Sequence, residues 1–209
     1  MGVLSMLTAP VVTLLQMPMS IGDLLGFSTG IACVWLTARA NIWNFPFGIV
    51  NSLILGLVFL QQRLFADASL QIVFIVLSVM GWRQWLVGGH AREDSPVFRT
   101  TPRTLGVLAL IAAVSTLGLW QTLVWIKGSA PIIDALITAL SLCAQWLLNR
   151  RALDNWLWWI VVDVISIPLY WSRGLPLISA LYVLFLLLCV KGWVTWRRQL
   201  AAEPLGAAA

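Results

Sequence analysis

Seven stretches of this chain are apolar for long enough to cross a bilayer, and short polar breaks separate them. A spanning helix needs about 20 mostly apolar residues. The stretches 21–38, 42–61, 68–88, 104–125, 131–149, 155–173 and 176–196 each read as one. The pattern predicts an all-α polytopic membrane protein with seven transmembrane helices. One loop of any size interrupts the series: 89–103 is polar, broken by Pro96 and Pro102, and reads as a linker, not a domain. Ahead of the first span, Val3 to Leu15 is apolar but short and interrupted by Pro10. No basic region precedes it, so 1–20 reads as a surface-lying or partly embedded segment and not as a cleaved signal. Residues 198–209, rich in Ala and Gly, read as a disordered tail.

The hydrophobic pattern repeats. A shift of 111 residues brings Trp35 onto Trp146, Arg39 onto Arg150, Asn44 onto Asn155, Gly81 onto Gly192, Trp82 onto Trp193 and Trp85 onto Trp196. Leucine matches are cheap in so apolar a chain; three tryptophan matches at one offset are not. Two three-helix units follow, 21–88 and 131–197, joined by the single helix 104–125. The shift crosses an even number of spans, so the units are expected to run the same way through the membrane. Parallel repeats of this kind occur in secondary transporters, which bind substrate near the midplane between the halves.

Composition sharpens the class. Of 209 residues, 60% are hydrophobic and only 10% charged, against about 25% charged in a soluble domain. The net charge of +5 reads as loop anchors and not as a nucleic-acid surface. Arg39, Arg83, Arg92, Arg99, Arg103, Arg150, Arg151, Arg197 and Arg198 fall on one side of the predicted membrane, and Arg63, Lys127 and Arg173 on the other. The first set should face the cytoplasm, with the N-terminus outside and the C-terminus inside. A true span over Val3–Leu15 would move the N-terminus inside and leave the other seven helices unchanged. Cys33, Cys143 and Cys189 each sit in an apolar run and read as small core residues. No GxxxxGK(S/T), HExxH, CxxC or GxSxG motif is present, and the single histidine is in a loop. The chain therefore reads as a non-enzyme needing no metal or nucleotide of its own.

The candidate chemistry lies inside the spans. Asp163 sits mid-way along 155–173, where an uncompensated charge costs roughly 2.5–3.5 kcal/mol and marks a functional site by default. Trp156, Trp159 and Asp163 share one helical face, a flat aromatic wall beside an anion that suits a flat cationic or polyhydroxylated molecule. The alternative for Asp163 is an ion pair with Lys191. Asn51 lies at nearly the repeat-equivalent depth of Asp163, and Ser52 is its strict mate; Asn51 is a site residue or a helix-joining amide. Gln71 and Tyr182 are repeat mates and form a second polar pair. Asn44 and Phe47, in the NIWNFPFG segment with Gly48, complete the candidate substrate contacts. Gln145 reads as structural and Asp134 as an interface residue. Trp43, Trp82, Trp85, Trp193 and Trp196 at span ends read as an interfacial aromatic belt. Pro168 is a candidate kink.

NIWNFPFG, the run Ala66–Trp85 and the run Asp154–Leu175 together resemble the PnuC family of bacterial vitamin transporters. The resemblance covers about 21–196. It implies a fold like the SWEET sugar transporters, two parallel three-helix bundles joined by a linker helix (3+1+3), in a bacterial inner membrane. It implies uptake of nicotinamide riboside by facilitated diffusion with alternating access, a cytosolic kinase trapping the vitamin, and assembly as a homotrimer. The family's WxxW element falls on Trp156 and Trp159. The polar residue four positions on is Asn in some nicotinamide riboside carriers and Asp163 here. Family relatives carry thiamine or riboflavin, so thiamine, another flat cation, is the nearest alternative, and neutral riboflavin suits an anionic pocket less. A proton-coupled carrier using Asp163 as its relay is the other alternative.

Overall fold

The computed structural model describes residues 10–14, 17–61, 65–88, 96–125 and 131–202. Seven helices carry the chain: α1 Ile21–Ala38, α2 Asn44–Gln61, α3 Phe65–Val87, α4 Pro102–Trp125, α5 Pro131–Asn149, α6 Asn155–Ser172 and α7 Pro176–Ala202. Their bounds follow the seven apolar stretches closely. By length and composition six of them could cross a membrane; α6 is not among the six. Asn155, Asp163, Ser166 and its aromatic residues make α6 less apolar, so the helix richest in candidate chemistry is the one a hydropathy threshold loses.

Pro10–Leu14 (β1) and Met17–Ser20 (β2) pair as an antiparallel hairpin, so the described part of the segment before the first span is extended and not helical. At the other end α7 continues to Ala202, which removes 198–202 from the expected tail. Residues 1–9 and 203–209 lie outside the described residues.

Local chemistry sets the helix limits. Ser20 caps α1: its Oγ accepts from the Asp23 backbone N–H at 3.1 Å, while Asp23 Oδ2 accepts from the Ser20 backbone N–H at 2.9 Å. This reciprocal pair satisfies two donors that a helix start leaves open. Gly174, at φ 71°, ends the α6 turn in the left-handed region, and Pro176 opens α7 where a missing N–H costs nothing.

Helices pack in sequence within each unit, α1 on α2 on α3 and α5 on α6 on α7. Two further seams join the units, α1 against α7 and α3 against α5, and α4 packs on α5. Ile72, Leu110, Val114, Leu117 and Leu187 point outward from the helices, as lipid-facing positions should. The segment after residue 95 docks beneath the α5–α6 turn. Phe98 bridges Ala152, the Leu153 N–H donates to Phe98 O at 2.8 Å, and the Thr100 N–H donates to Asp154 Oδ2 at 2.6 Å.

The turn between α1 and α2 is built again, 111 residues on, between α5 and α6. Ala40 and Arg151 occupy its left-handed corner at φ 54° and 58°. The Ala40 N–H donates to Thr37 O and the Arg151 N–H to Leu148 O, both at 2.8 Å. Asn44 Nδ2 donates to Asn41 O at 2.7 Å, and Asn155 Nδ2 to Ala152 O at 2.6 Å. Arg39 lies 4.3 Å over Trp35, and Arg150 lies 4.0 Å over Trp146. Edge-on aromatic pairs lock each α2-type helix to the third helix of its unit: Phe45 on Trp85 at 5.0 Å, Trp156 on Trp196 at 5.4 Å.

That packing corrects two expectations. Trp85 and Trp196 are fully buried in the principal core cluster and are not belt residues; each packs on the neighbouring helix, and their rings lie 6.4 Å apart. Arg151, counted among the loop anchors, is 0% exposed, with its guanidinium 4.8 Å from the Trp85 ring and 5.7 Å from that of Trp196. Burial against indole faces compensates a cation in this position.

Candidate functional site

The inward face of α6 carries the polar groups that packing leaves unanswered. Asn155 Oδ1, Trp156 Nε1, Asp163 Oδ2 and Ser166 Oγ are all buried and lack a hydrogen-bond partner. Buried polar atoms are almost always paired, so four such atoms on one helix call for an explanation. Asp163 is 3% exposed and Ser166 0%. They are three residues apart and therefore share a face, about 4.5 Å apart along the axis.

The walls around Asp163 come from α7. The Cys189 thiol lies beside its carboxylate. Tyr182 stands within electrostatic reach of it, and the Tyr182 hydroxyl lies beside Ser166 and Tyr170. The Tyr182 ring stacks on Tyr170 at 5.1 Å, nearly parallel, and meets Phe185 edge-on at 5.9 Å. Among the described residues the ion pair is elsewhere: Arg173 Nη2 meets Asp134 Oδ2 at 2.8 Å and ties the α6–α7 turn to the start of α5. Lys191 is exposed, whereas Asp163 is buried, and no ion pair joins them. Asp134 is thus the partner of Arg173.

The first unit reaches this cluster through α1. A side chain built at Gly30 would lie 3.4 Å from both Asn51 Nδ2 and Phe185, so α2 and α7 meet across that glycine. Asn51 Nδ2 donates to Gly26 O at 2.6 Å and to Thr29 Oγ1 at 3.0 Å. Of the two roles that the sequence left open for Asn51, its amide nitrogen performs the helix-joining one.

The remaining candidates fall in different places. Trp156 is 1% exposed, held by Trp196 and by Gly192, whose hydrogen side chain admits the indole ring. It forms part of the core behind the polar face. Trp159 is half-buried against the same cluster. Gln71 lines a cavity of about 220 Å³ between α2 and α3, shared with Ser52, Gly56 and Ser69. Asn44 is buried, and its side chain is engaged in its turn. Phe47 is 38% exposed and faces outward. The expectation that it faces the site is corrected, because the helix that begins at Asn44 turns Phe45 inward and rotates residue 47 away. Gln145 is structural, donating to Asn149 Oδ1 at 3.0 Å.

Sequence reasoning missed Ser166, Tyr170, Phe185 and Cys189. Ser166 was within reach, since it is one turn beyond Asp163 on the same face. Tyr170, Phe185 and Cys189 depend on how α7 rotates against α6, which no spacing reveals.

A bundle of membrane-length helices with a carboxylate and a hydroxyl sunk unanswered in its interior has the build of a polytopic membrane transporter. Comparison with known proteins places it further. Residues 20–198 match the family described as nicotinamide mononucleotide transporter, and the chain belongs to that family, the PnuC transporters. The nicotinamide riboside transporter PnuC of Escherichia coli is 24% identical over 88% of this chain and 89% of its own length. PnuC of Neisseria mucosa is 28% identical over 81% and 69%. The riboflavin/roseoflavin transporter RibM of Streptomyces davaonensis is 26% identical over 83% of each. A crystal structure of the vitamin B3 transporter PnuC superposes with a TM-score of 0.71 at 24% identity, covering 88% of this chain and 83% of that one. It has the same fold.

Proposed function

We propose that this chain takes up nicotinamide riboside across a bacterial inner membrane by facilitated diffusion. The observation that carries the reading is Asp163: a buried carboxylate with one oxygen unanswered and no cation paired to it. A pyridinium nucleoside would supply both the missing charge and the missing donors. The same carboxylate argues against a nucleotide, whose phosphate would add negative charge to a site that holds an anion already. In this reading Asp163 takes the ring charge, Trp159 faces the ring and Trp156 backs it. Asn51 shapes the opposing wall from the first unit, and Tyr182 closes the end; Gln71, in its own cavity between α2 and α3, stands apart from this wall.

Two parallel three-helix units joined by α4 (3+1+3) would rock about the α1–α7 and α3–α5 seams and expose the site alternately. The C-terminus is cytoplasmic and the N-terminus outside in this arrangement, which follows from the arginine bias. A cytosolic kinase would trap the vitamin as its phosphate, and the protein would work as a homotrimer.

Uptake of labelled nicotinamide riboside into proteoliposomes tests the reading. Unlabelled nicotinamide riboside should abolish the signal, and thiamine or riboflavin should not. Competition by thiamine alone would transfer the assignment to that cation. The uptake should stop at equal concentrations inside and out under an imposed pH gradient. Accumulation beyond that point would make Asp163 the relay of a proton-coupled carrier.

A further inference from the structure

Ser166 behaves unlike the threonines elsewhere in the helices. A Ser or Thr in a helix ordinarily turns its hydroxyl onto the carbonyl four residues back. Thr29, Thr37, Thr116, Thr122 and Thr195 all do so here, at 2.6–3.1 Å. Ser166 does not: it is the most enclosed of these groups, no carbonyl answers its Oγ, and the group beside it is the Tyr182 hydroxyl of α7. A hydroxyl met only by one other hydroxyl keeps donor or acceptor capacity to spare. Its orientation is set from outside α6. The Tyr182 hydroxyl comes in from α7 beside it, on a ring fixed by stacking against Tyr170 and by the edge of Phe185. Both groups stand on the Asp163 side of their helices.

The repeat shows that this arrangement is an addition to the scaffold. The mates of Asp163, Ser166 and Tyr182 in the first unit are Ser52, Leu55 and Gln71. There the corresponding space between α2 and α3 holds a largely apolar cavity of about 220 Å³. The helices pack without the hydroxyl pair in one unit, so packing alone does not demand it in the other.

We propose that Ser166 and Tyr182 are specificity-determining residues that read the sugar hydroxyls of the substrate, one helical turn from the carboxylate that takes its positive charge. The pair would supply donor and acceptor capacity that a bare aromatic cation cannot use. A site built to bond hydroxyls disfavours analogues lacking them, because its own polar groups are then left unpaired.

This inference rests on the proposed function, and the test separates the two. The purified full-length protein is titrated with nicotinamide riboside and, by competition, with N-methylnicotinamide, which keeps the pyridinium and lacks the sugar. Ser166→Ala should weaken riboside binding about tenfold, the equivalent of about 1.4 kcal/mol, and leave the methyl analogue unchanged. Tyr182→Phe should do the same while keeping the aromatic stack. Equal losses for both ligands, or none for either, would overturn the assignment of the hydroxyl pair. Failure of the unmutated protein to bind the riboside would instead overturn the functional reading, and this inference with it. Thermal melting of each variant shows that a loss of binding is not a loss of fold.

Discussion

Ala40 and Arg151 occupy the same left-handed corner of the same turn, yet their surroundings have diverged. In the first unit Val34, Ala38 and Leu55 are small or apolar groups. The second sets Gln145, Asn149 and Ser166 at those positions and adds the buried guanidinium of Arg151. The seams differ accordingly. At α3–α5, Asn149 Nδ2 donates to Leu77 O at 2.9 Å and Trp85 Nε1 donates to Asn149 O at 3.0 Å. At α1–α7, the equivalent indole nitrogen, Trp196 Nε1, has no partner. Backbone geometry has been kept in both copies while side-chain chemistry has been concentrated in one. A turn that satisfies its own amides leaves the interior it frames free to change.

Three comparisons test how deep that difference runs. The largest effect on stability is expected at the glycines that admit the aromatic locks. A Cβ at Gly192 would fall 2.5 Å from Cζ2 of Trp156, a ring that Trp196 prevents from retreating. Gly192→Ala should cost about 1–3 kcal/mol and lower the melting temperature in detergent. Gly106→Ala and Gly118→Ala, which meet nothing within 4 Å, should not. Equal melting temperatures for all three would mean that the Trp156 lock is loose.

Asn149→Ala removes the bonds to Gln145 and Leu77 and strands a buried amide. A loss of about 1–2 kcal/mol is expected, seen as a lower denaturation midpoint. Its apolar mate tolerates change better: Ala38→Ser, whose hydroxyl can bond the carbonyl four residues back, should move the midpoint by less than half as much. Reversal of that order would remove the polar seam from the account.

The smallest effect concerns the corner itself. A non-glycine residue at positive φ costs about 1 kcal/mol, so Ala40→Gly should raise the midpoint by somewhat less than that. Arg151→Gly relieves the same strain but strips a cation from between two indoles and should lower it. Shifts of the same sign at both positions would show that Arg151 contributes nothing beyond its backbone.

The helices were legible because each is a long apolar run, α6 the least so, and several are bounded by a local signal. The Ser20–Asp23 box, the turns opening at Asn44 and Asn155, and the Gly174 and Pro176 pair are such signals. The repeat was legible because tryptophan is rare enough for Trp35, Trp82 and Trp85 to find their mates without an alignment. Asp163 stood out because a carboxylate in an apolar run has no ordinary explanation. Rotation was not legible. Whether Trp85 looks to lipid or to the core depends on Phe45 from another helix, and Phe47 lost its place by lying two positions from Phe45. Arg151 read as a loop charge because nothing in its neighbours announces that two distant indoles close over it. Ser166 carries no signal of its own in the sequence beyond lying one turn from Asp163 on the same face.

The central claim is that the charge buried on α6 binds a cation. Calorimetric titration of nicotinamide riboside into the unmutated protein and into Asp163→Asn tests it directly. The substitution keeps size and removes the charge, exchanging one acceptor oxygen for an amide donor. The account predicts a rise in Kd of about tenfold to a hundredfold, corresponding to about 1.5–3 kcal/mol for a charge-assisted contact, with the melting temperature held or raised. An unchanged Kd in a well-folded Asp163→Asn protein would contradict it.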